Sequence, residues 1–444
     1  MVRGTFIKLI SVLGVSAVLL LLSAEPAQAV PSFARQTGMA CNLCHTAFPE
    51  LTSFGRSFKA SGYTLTQMKQ ITAGANAAKL ELNSILPLSL MLQTSFTRTD
   101  DKQPGTQNNN VEFPQQLSLF LAGEITDHVG SFIQATYTQE DDNLSMDNSD
   151  IRFADQSTLA GKEIIYGLTL NNNPTVADLW NSTPAWSFPY ASADSVPTPA
   201  AGALIDGALA QAVAGLGAYA LWDDHLYADV TAYRTAEIGQ LEPTDASNDT
   251  IENVAPYWRL AWQQKWGDNQ LELGTYGLYA QLYPQGISGQ TDKYTDIAFD
   301  LTYERKFGTD LLTVHSTYIY EDQDLDASHA AGDSENQSND LNTFRLDAHY
   351  YFDGSVVLSL AYFMIRGDSD NILYSPDQLD GSRNGSPDSD GMIAEVGYYP
   401  WQNLRLSLQY TAYFQFNGSS NNYDGFGRDA SDNNTLYALV WLVW

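Results

Sequence analysis

The chain has 444 residues with 52 acidic and only 22 basic side chains, a formal charge of −30; such a chain repels nucleic acid and attracts cations to its surface. Charged residues are still just 17% of the total and aromatics 12%, which excludes a disordered acidic tail. The length would allow two or three ordinary domains, but the pattern along the chain points to one short segment and one long one.

At the start, Arg3 and Lys8 precede an apolar run, "LISVLGVSAVLLLL" (9–22), and Ala27 and Ala29 form an A-x-A site before Val30. This is the three-part pattern of a secretory signal peptide over residues 1–29, with an apolar run too short for a spanning helix. The mature chain is expected to leave the cytoplasm.

Residues 30–78 contain the two cysteines of the chain, Cys41 and Cys44, with His45 directly after the second. In an exported protein, Cys-x-x-Cys-His is the attachment signature of a c-type haem. Thiols at this spacing can form thioethers to the two porphyrin vinyls, and the adjacent imidazole then reaches the iron as proximal ligand. A disulfide or half of a zinc site is the alternative, but no second Cys or His pair stands nearby to complete four-coordinate zinc. The following "FPELTSFGRSFKASGY" predicts a helix with Pro49 early, Leu51, Phe54 and Phe58 on one face, and Gly62 as its stop. About 50 residues hold little core of their own, so something larger should enclose them. For the distal haem position Met68 is the candidate at reachable separation; Met39 lies too close to Cys41. His315 and His349 could reach from a surrounding wall, whereas His128 and His225 sit in tight turns and read as structural.

From Leu86 onward the period is two. "LRLSLQYTAYFQF" (404–416) puts Leu404, Leu406, Leu408 and Tyr410 on one face and Arg405, Ser407, Gln409 and Thr411 on the other. "NTFRLDAHYYF" and "DIAFDLTYER" behave alike, the signal of transmembrane β-strands. Tight turns alternate with long polar loops, among them residues 171–208 and the acidic "EDDNLSMDNS" and "EDQDLDASHAAGDSEN". The loops should lie outside the cell, open to protease, and could concentrate divalent cations at the barrel mouth. Sixteen strands follow, near 87–98, 111–126, 130–139, 149–155, 162–170, 209–222, 226–235, 254–266, 270–282, 293–307, 311–321, 341–352, 355–366, 390–399, 404–416 and 434–444. Trp258, Trp262, Trp266, Tyr398, Tyr399, Trp401, Trp441 and Trp444 cluster at strand ends like interfacial girdles. A soluble all-β array is disfavoured because no blade-length repeat is visible. The expected fold is mainly β: residues 79–444 form a transmembrane antiparallel barrel of about sixteen strands, wide enough to hold residues 30–78 as a short helical c-type haem plug.

With "PSFARQTGMACNLCHTAFPELTSFGRSFKASGY" and "NNNPTVADLWNSTPAW" (171–186) in view, the chain resembles the fused outer-membrane cytochrome–porins of iron-oxidising bacteria. The resemblance implies a single haem on Cys41, Cys44 and His45 that takes electrons from extracellular Fe(II), or another donor, and passes them to periplasmic c-type cytochromes. It implies residence in outer-membrane lipid, with both mature termini periplasmic. A solute porin whose haem segment is a gate or sensor is the competing reading.

Overall fold

The computed structural model describes residues 31–444 apart from 47–48, 67–69, 74–79, 105–108, 140–141, 181, 183–187, 189, 237–249 and 285–288. The signal-peptide residues 1–29 and Met68 therefore lie outside the described residues.

Among the described residues, sixteen antiparallel strands close on themselves. The first, β1 (Leu88–Thr99), pairs with the last, β16 (Thr435–Val443), through registers such as Gln93↔Trp441. On the far side the strand Leu226–Thr235 pairs with Ala255–Trp266 to complete the ring. The two-residue strand Thr250–Ile251 only extends the edge of one hairpin. The predicted strand limits hold within a few residues almost everywhere. One exception is the acidic stretch after Asp142: it belongs to the strand Asn143–Leu159, which lengthens the wall where a loop was expected. The barrel sheet begins at Leu88, and a separate hairpin, Gln70–Ala73 with Leu80–Asn83, lies before it.

Burial follows the pleat, inverted relative to a soluble protein. Leu119, Leu168, Leu216, Val230, Leu260, Leu360 and Leu408 are exposed, while Ser118, Thr169, Asp229, Arg259, Asp347 and Arg405 are buried. An apolar outside around a polar inside is the pattern of a barrel in lipid, and it excludes a soluble sandwich. At the short-turn end Trp266, Phe307, Phe352 and Trp444 are exposed in a girdle. Trp441 and Tyr399 are not part of it. Trp441 is buried on the inner face, and Tyr399 packs against the same internal cluster, because the strand parity that exposes Val440 and Tyr398 turns these neighbours inward.

Residues 31–66 occupy the lumen near the short-turn end. Helix α1 (Pro31–Thr37) is tied to the wall by Ser32 Oγ and Gln36 Nε2, both donating to the Ala122 carbonyl at 2.7 and 3.0 Å. Helix α2 (Cys41–Cys44) carries the cysteines. Helix α3 (Ser53–Ala60) starts one residue after its cap, Thr52, whose hydroxyl accepts from the Gly55 amide at 3.1 Å. It ends where Gly62 and Tyr63 take positive φ, a left-handed stop that suits glycine. The anchors run all round the barrel. Tyr63 donates to Asp150 at 2.7 Å, Arg56 pairs with Glu304 at 2.6 Å, and Tyr219 donates to the Ala60 carbonyl at 2.8 Å. Gly130 lets the plug sit flush: a β-carbon there would overlap the Gly62 carbonyl.

The segment between Asn171 and Val213 corrects the expectation of an external loop. It folds into the lumen, burying Leu179, Trp180, Leu204 and Ile205. Arg259 on the wall faces Asp178 at 3.2 Å, Glu272 at 3.0 Å and Asp300 at 2.7 Å, and donates to Ser182 Oγ at 3.2 Å. Lys59 of the plug donates to the carbonyls of Val176 and Asp178, so loop and plug form one internal body. Protease added to intact cells is expected to leave residues 172–212 uncut; a cut there, mapped by mass spectrometry on otherwise intact barrels, would show that the segment swings out.

Candidate functional site

Helix α2 is a single turn whose C-terminal cap is His45; the His45 amide donates to the Cys41 carbonyl at 2.9 Å. The following chain doubles back, and the Thr52 amide donates to the Cys44 carbonyl at 2.9 Å. Helix α3 then lies against α2 through Gly55, where a β-carbon would overlap that same Cys44 oxygen. The sequence folds this way because a helix can approach a backbone so closely only at glycine.

Cys41, Cys44 and His45 line one cavity of about 1290 Å³, measured to its open mouth, between plug and wall. Its other walls are mainly apolar, although Thr37, Lys59, Ser89, Thr175 and Asp178 also line it. Leu51 and Phe58 come from the plug, and Met91, Phe120, Phe132 and Trp441 from β1, its neighbour strands and β16. Leu51 and Phe58 line this space and Phe54 does not. The helix expected to take in Pro49 and Leu51 begins only at Ser53, after the Thr52 cap, and Leu51 instead bridges to His45.

His45 Nδ1 lies 3.3 Å from each of the Pro49 and Glu50 carbonyls. A carbonyl can only accept, so Nδ1 carries the proton and Nε2 the lone pair. Burial lowers the His45 pKa, only partly opposed by those carbonyls, and so favours the neutral imidazole that binds a metal. Burial also pushes the Cys44 thiol up to about 11. A mainly apolar pocket, two thiols and an imidazole whose tautomer is set from behind fit a tethered haem.

Met68, the distal candidate read from the sequence, lies outside the described residues; Met39 and Met91 both line the cavity. His315 and His349 do not; they stand beyond Glu50 in the wall. Met91, Phe120, Phe132 and Trp441 were not singled out from the sequence as site residues. A signal for them exists, since "LSLML" and "LYALVWLVW" lose the apolar–polar alternation and so mark where the inner face is dry.

Glu50 joins plug to wall. Its carboxylate accepts from the Tyr351 hydroxyl and faces His315 Nε2 at 3.6 Å. Burial alone would raise its pKa, but the positive potential of His349 and His315 and the Tyr351 hydrogen bond outweigh burial and hold it below the usual range. The loop carboxylates have local work. Asp370 accepts from the amides of Glu335, Asn336, Ile372 and Leu373, and Asp292 from those of Ala327 and Ser328. They shape the loops from within.

No family model and no curated relative matches this chain. Among solved structures it is similar to Salmonella typhi OmpF in complex with daunomycin, at 13% identity over 84% of this chain and 100% of that one, with a TM-score of 0.47. It is also similar to an anion-selective porin from Comamonas acidovorans, at 12% identity over 80% and 98% with a TM-score of 0.45. A third is the outer-membrane channel DcaP of Acinetobacter baumannii, at 11% over 80% and 96% with a TM-score of 0.43. None of these values speaks to function.

Proposed function

We propose that this chain is an outer-membrane electron-transfer protein that accepts electrons from an extracellular donor, Fe(II) by the family resemblance, and delivers them to a periplasmic c-type cytochrome. The observation that carries the reading is the apolar cavity on which Cys41, Cys44 and His45 converge. A c-type haem held there would supply one-electron chemistry inside a membrane that otherwise insulates. Cys41 and Cys44 tether it, His45 presents Nε2, and the surrounding apolar side chains keep water from the pocket. In this orientation the short turns and the plug face the periplasm, and the long loops face outward. Plug and infolded loop together obstruct the lumen, which favours electron passage over bulk solute flow.

The second reading, a solute porin with a haem-bearing gate, draws on the mixed polar cavity of about 1340 Å³ on the loop side, lined in part by Ser182, Thr317 and Arg345. Two measurements separate the readings. Replacing Cys41 and Cys44 by alanine should abolish haem staining on a denaturing gel; a surviving stain would refute covalent attachment. In proteoliposomes with the loop face outward, external Fe(II) should reduce the bound haem within minutes and an enclosed cytochrome should reoxidise it. An unresponsive spectrum together with free solute diffusion would favour the porin.

A further inference from the structure

A second cluster lies in the wall beside the plug. Strands β11 (Asp310–Asp324) and β12 (Ser338–Phe352) point His315, Asp347 and His349 inward, and a ligating atom of each lies within 4.8 Å of the other two. Both imidazoles converge on one carboxylate oxygen: Asp347 Oδ2 is 2.8 Å from His315 Nδ1 and 3.2 Å from His349 Nε2. Metal bonds of ~2.0–2.1 Å at tetrahedral or octahedral angles place neighbouring donor atoms about 2.9–3.4 Å apart, and the two nitrogen–oxygen separations, hydrogen bonds in this structure, lie near that range. The ring nitrogens turned away from that point also have oxygen partners. His315 Nε2 faces Glu50 Oε1 at 3.6 Å, and His349 Nδ1 lies 2.9 Å from Ser359 Oγ. An oxygen behind each ligating imidazole is how metal sites fix ring orientation. Tyr190 stacks on His349 at 5.7 Å with 14° between the planes, which holds that ring further.

We propose that His315, Asp347 and His349 form a binding site for a divalent first-row transition-metal ion on the inner wall of the barrel. Two imidazoles and one carboxylate, with the remaining positions open, suit iron-, cobalt- or zinc-type ions and disfavour calcium and magnesium, which take oxygen shells. His315 and Asp347 also line a cavity of about 390 Å³. That cavity shares Ser182, Phe188, Thr317 and Arg345 with the loop-side cavity, so the cluster lies beside the loop-side space. The three proposed ligands are wall residues, and the inference is independent of the haem reading.

The test uses the full-length protein in detergent, dialysed against Zn(II) in excess Ca(II) so that oxygen-only loop sites are filled. One zinc per chain is expected, and its X-ray absorption at the zinc edge should show two imidazole nitrogens and carboxylate oxygen. The H315A/H349A double variant should bind that ion at least about tenfold more weakly. An all-oxygen shell, a sulfur shell that assigns the ion to Cys41 and Cys44, or unchanged affinity in the double variant would each overturn the proposal. The absorption measurement on the unaltered protein decides the question even if the variant does not fold.

Discussion

Replacing Arg259 with leucine is expected to open the barrel. Arg259 is 1% exposed and faces three carboxylates, two on the wall and one, Asp178, on the infolded loop. Removing one partner of a buried ion cluster costs about 3–5 kcal/mol, because the remaining charges stay buried without compensation. Here the strain has an outlet: Asp178 can shift with its loop. Other ties stay in place, among them Lys59 to the Val176 and Asp178 carbonyls, Arg152 to the Ala177 carbonyl at 2.6 Å, and the Leu204 and Ile205 amides donating to Glu321 at 2.5 Å and Asp296 at 2.9 Å. The loop is therefore expected to loosen rather than leave whole. Single-channel recordings should show a several-fold rise in conductance, and protease should now cut within residues 172–212. Adding Asp178→Asn and Asp300→Asn should recover part of the loss, since neutral amides need no counter-charge. Conductance and protease resistance unchanged from the parent would show that Arg259 does not hold the loop.

A substitution at Gly55 acts at the other end of the lumen. The Cys44 carbonyl that a β-carbon at Gly55 would meet is already held by the Thr52 amide at 2.9 Å, and backbone cannot step aside as a flexible side chain can. Gly55→Ala should therefore push α3 off α2, and Gly55→Val further, displacing Leu51 and Phe58 from the cavity wall. Haem-stained protein per folded barrel is expected to fall in that order, by more than about tenfold for valine, a barrier or binding change of about 1.4 kcal/mol or more. The barrel should still migrate anomalously when unheated, because the atoms nearest that β-carbon belong to Cys44 and Leu51. Normal staining in the valine variant would separate the close packing of α2 and α3 from haem retention.

The strands were legible because the membrane imposes a strict rule on them. Outward positions must be apolar and inward ones polar, so a period of two survives over ten or more residues, and the limits of β16 and its neighbours can be read directly. The infolded loop was not legible. Its apolar residues, Leu179, Trp180, Leu204 and Ile205, are scattered among Asn, Ser, Pro and Ala with no periodicity, and only the carboxylates and Arg259 waiting on distant strands bring them inside. Trp441 was misplaced for a related reason. In "LYALVWLVW" both faces are apolar, one for lipid and one for the plug, so composition could not say which way the ring points; parity from exposed Val440 could. Cys41, Cys44 and His45 were legible as a motif, but the pairing of His315 and His349 through Asp347 depends on the register Thr313↔His349 and His315↔Asp347, which the sequence does not display.

The seam between β1 and β16 also sets an order of events. Trp441 and Val443, on the strand that closes the ring, form part of the wall around the cysteine pocket, while α1 is fastened to Ala122 and Ser89 near the opening strand. The segment that emerges first is thus walled in by the strand that emerges last. Access to the buried Cys41 thiol is therefore widest before that final pairing, with the chain still open in transit, while half-buried Cys44 keeps some exposure once the hoop is fastened.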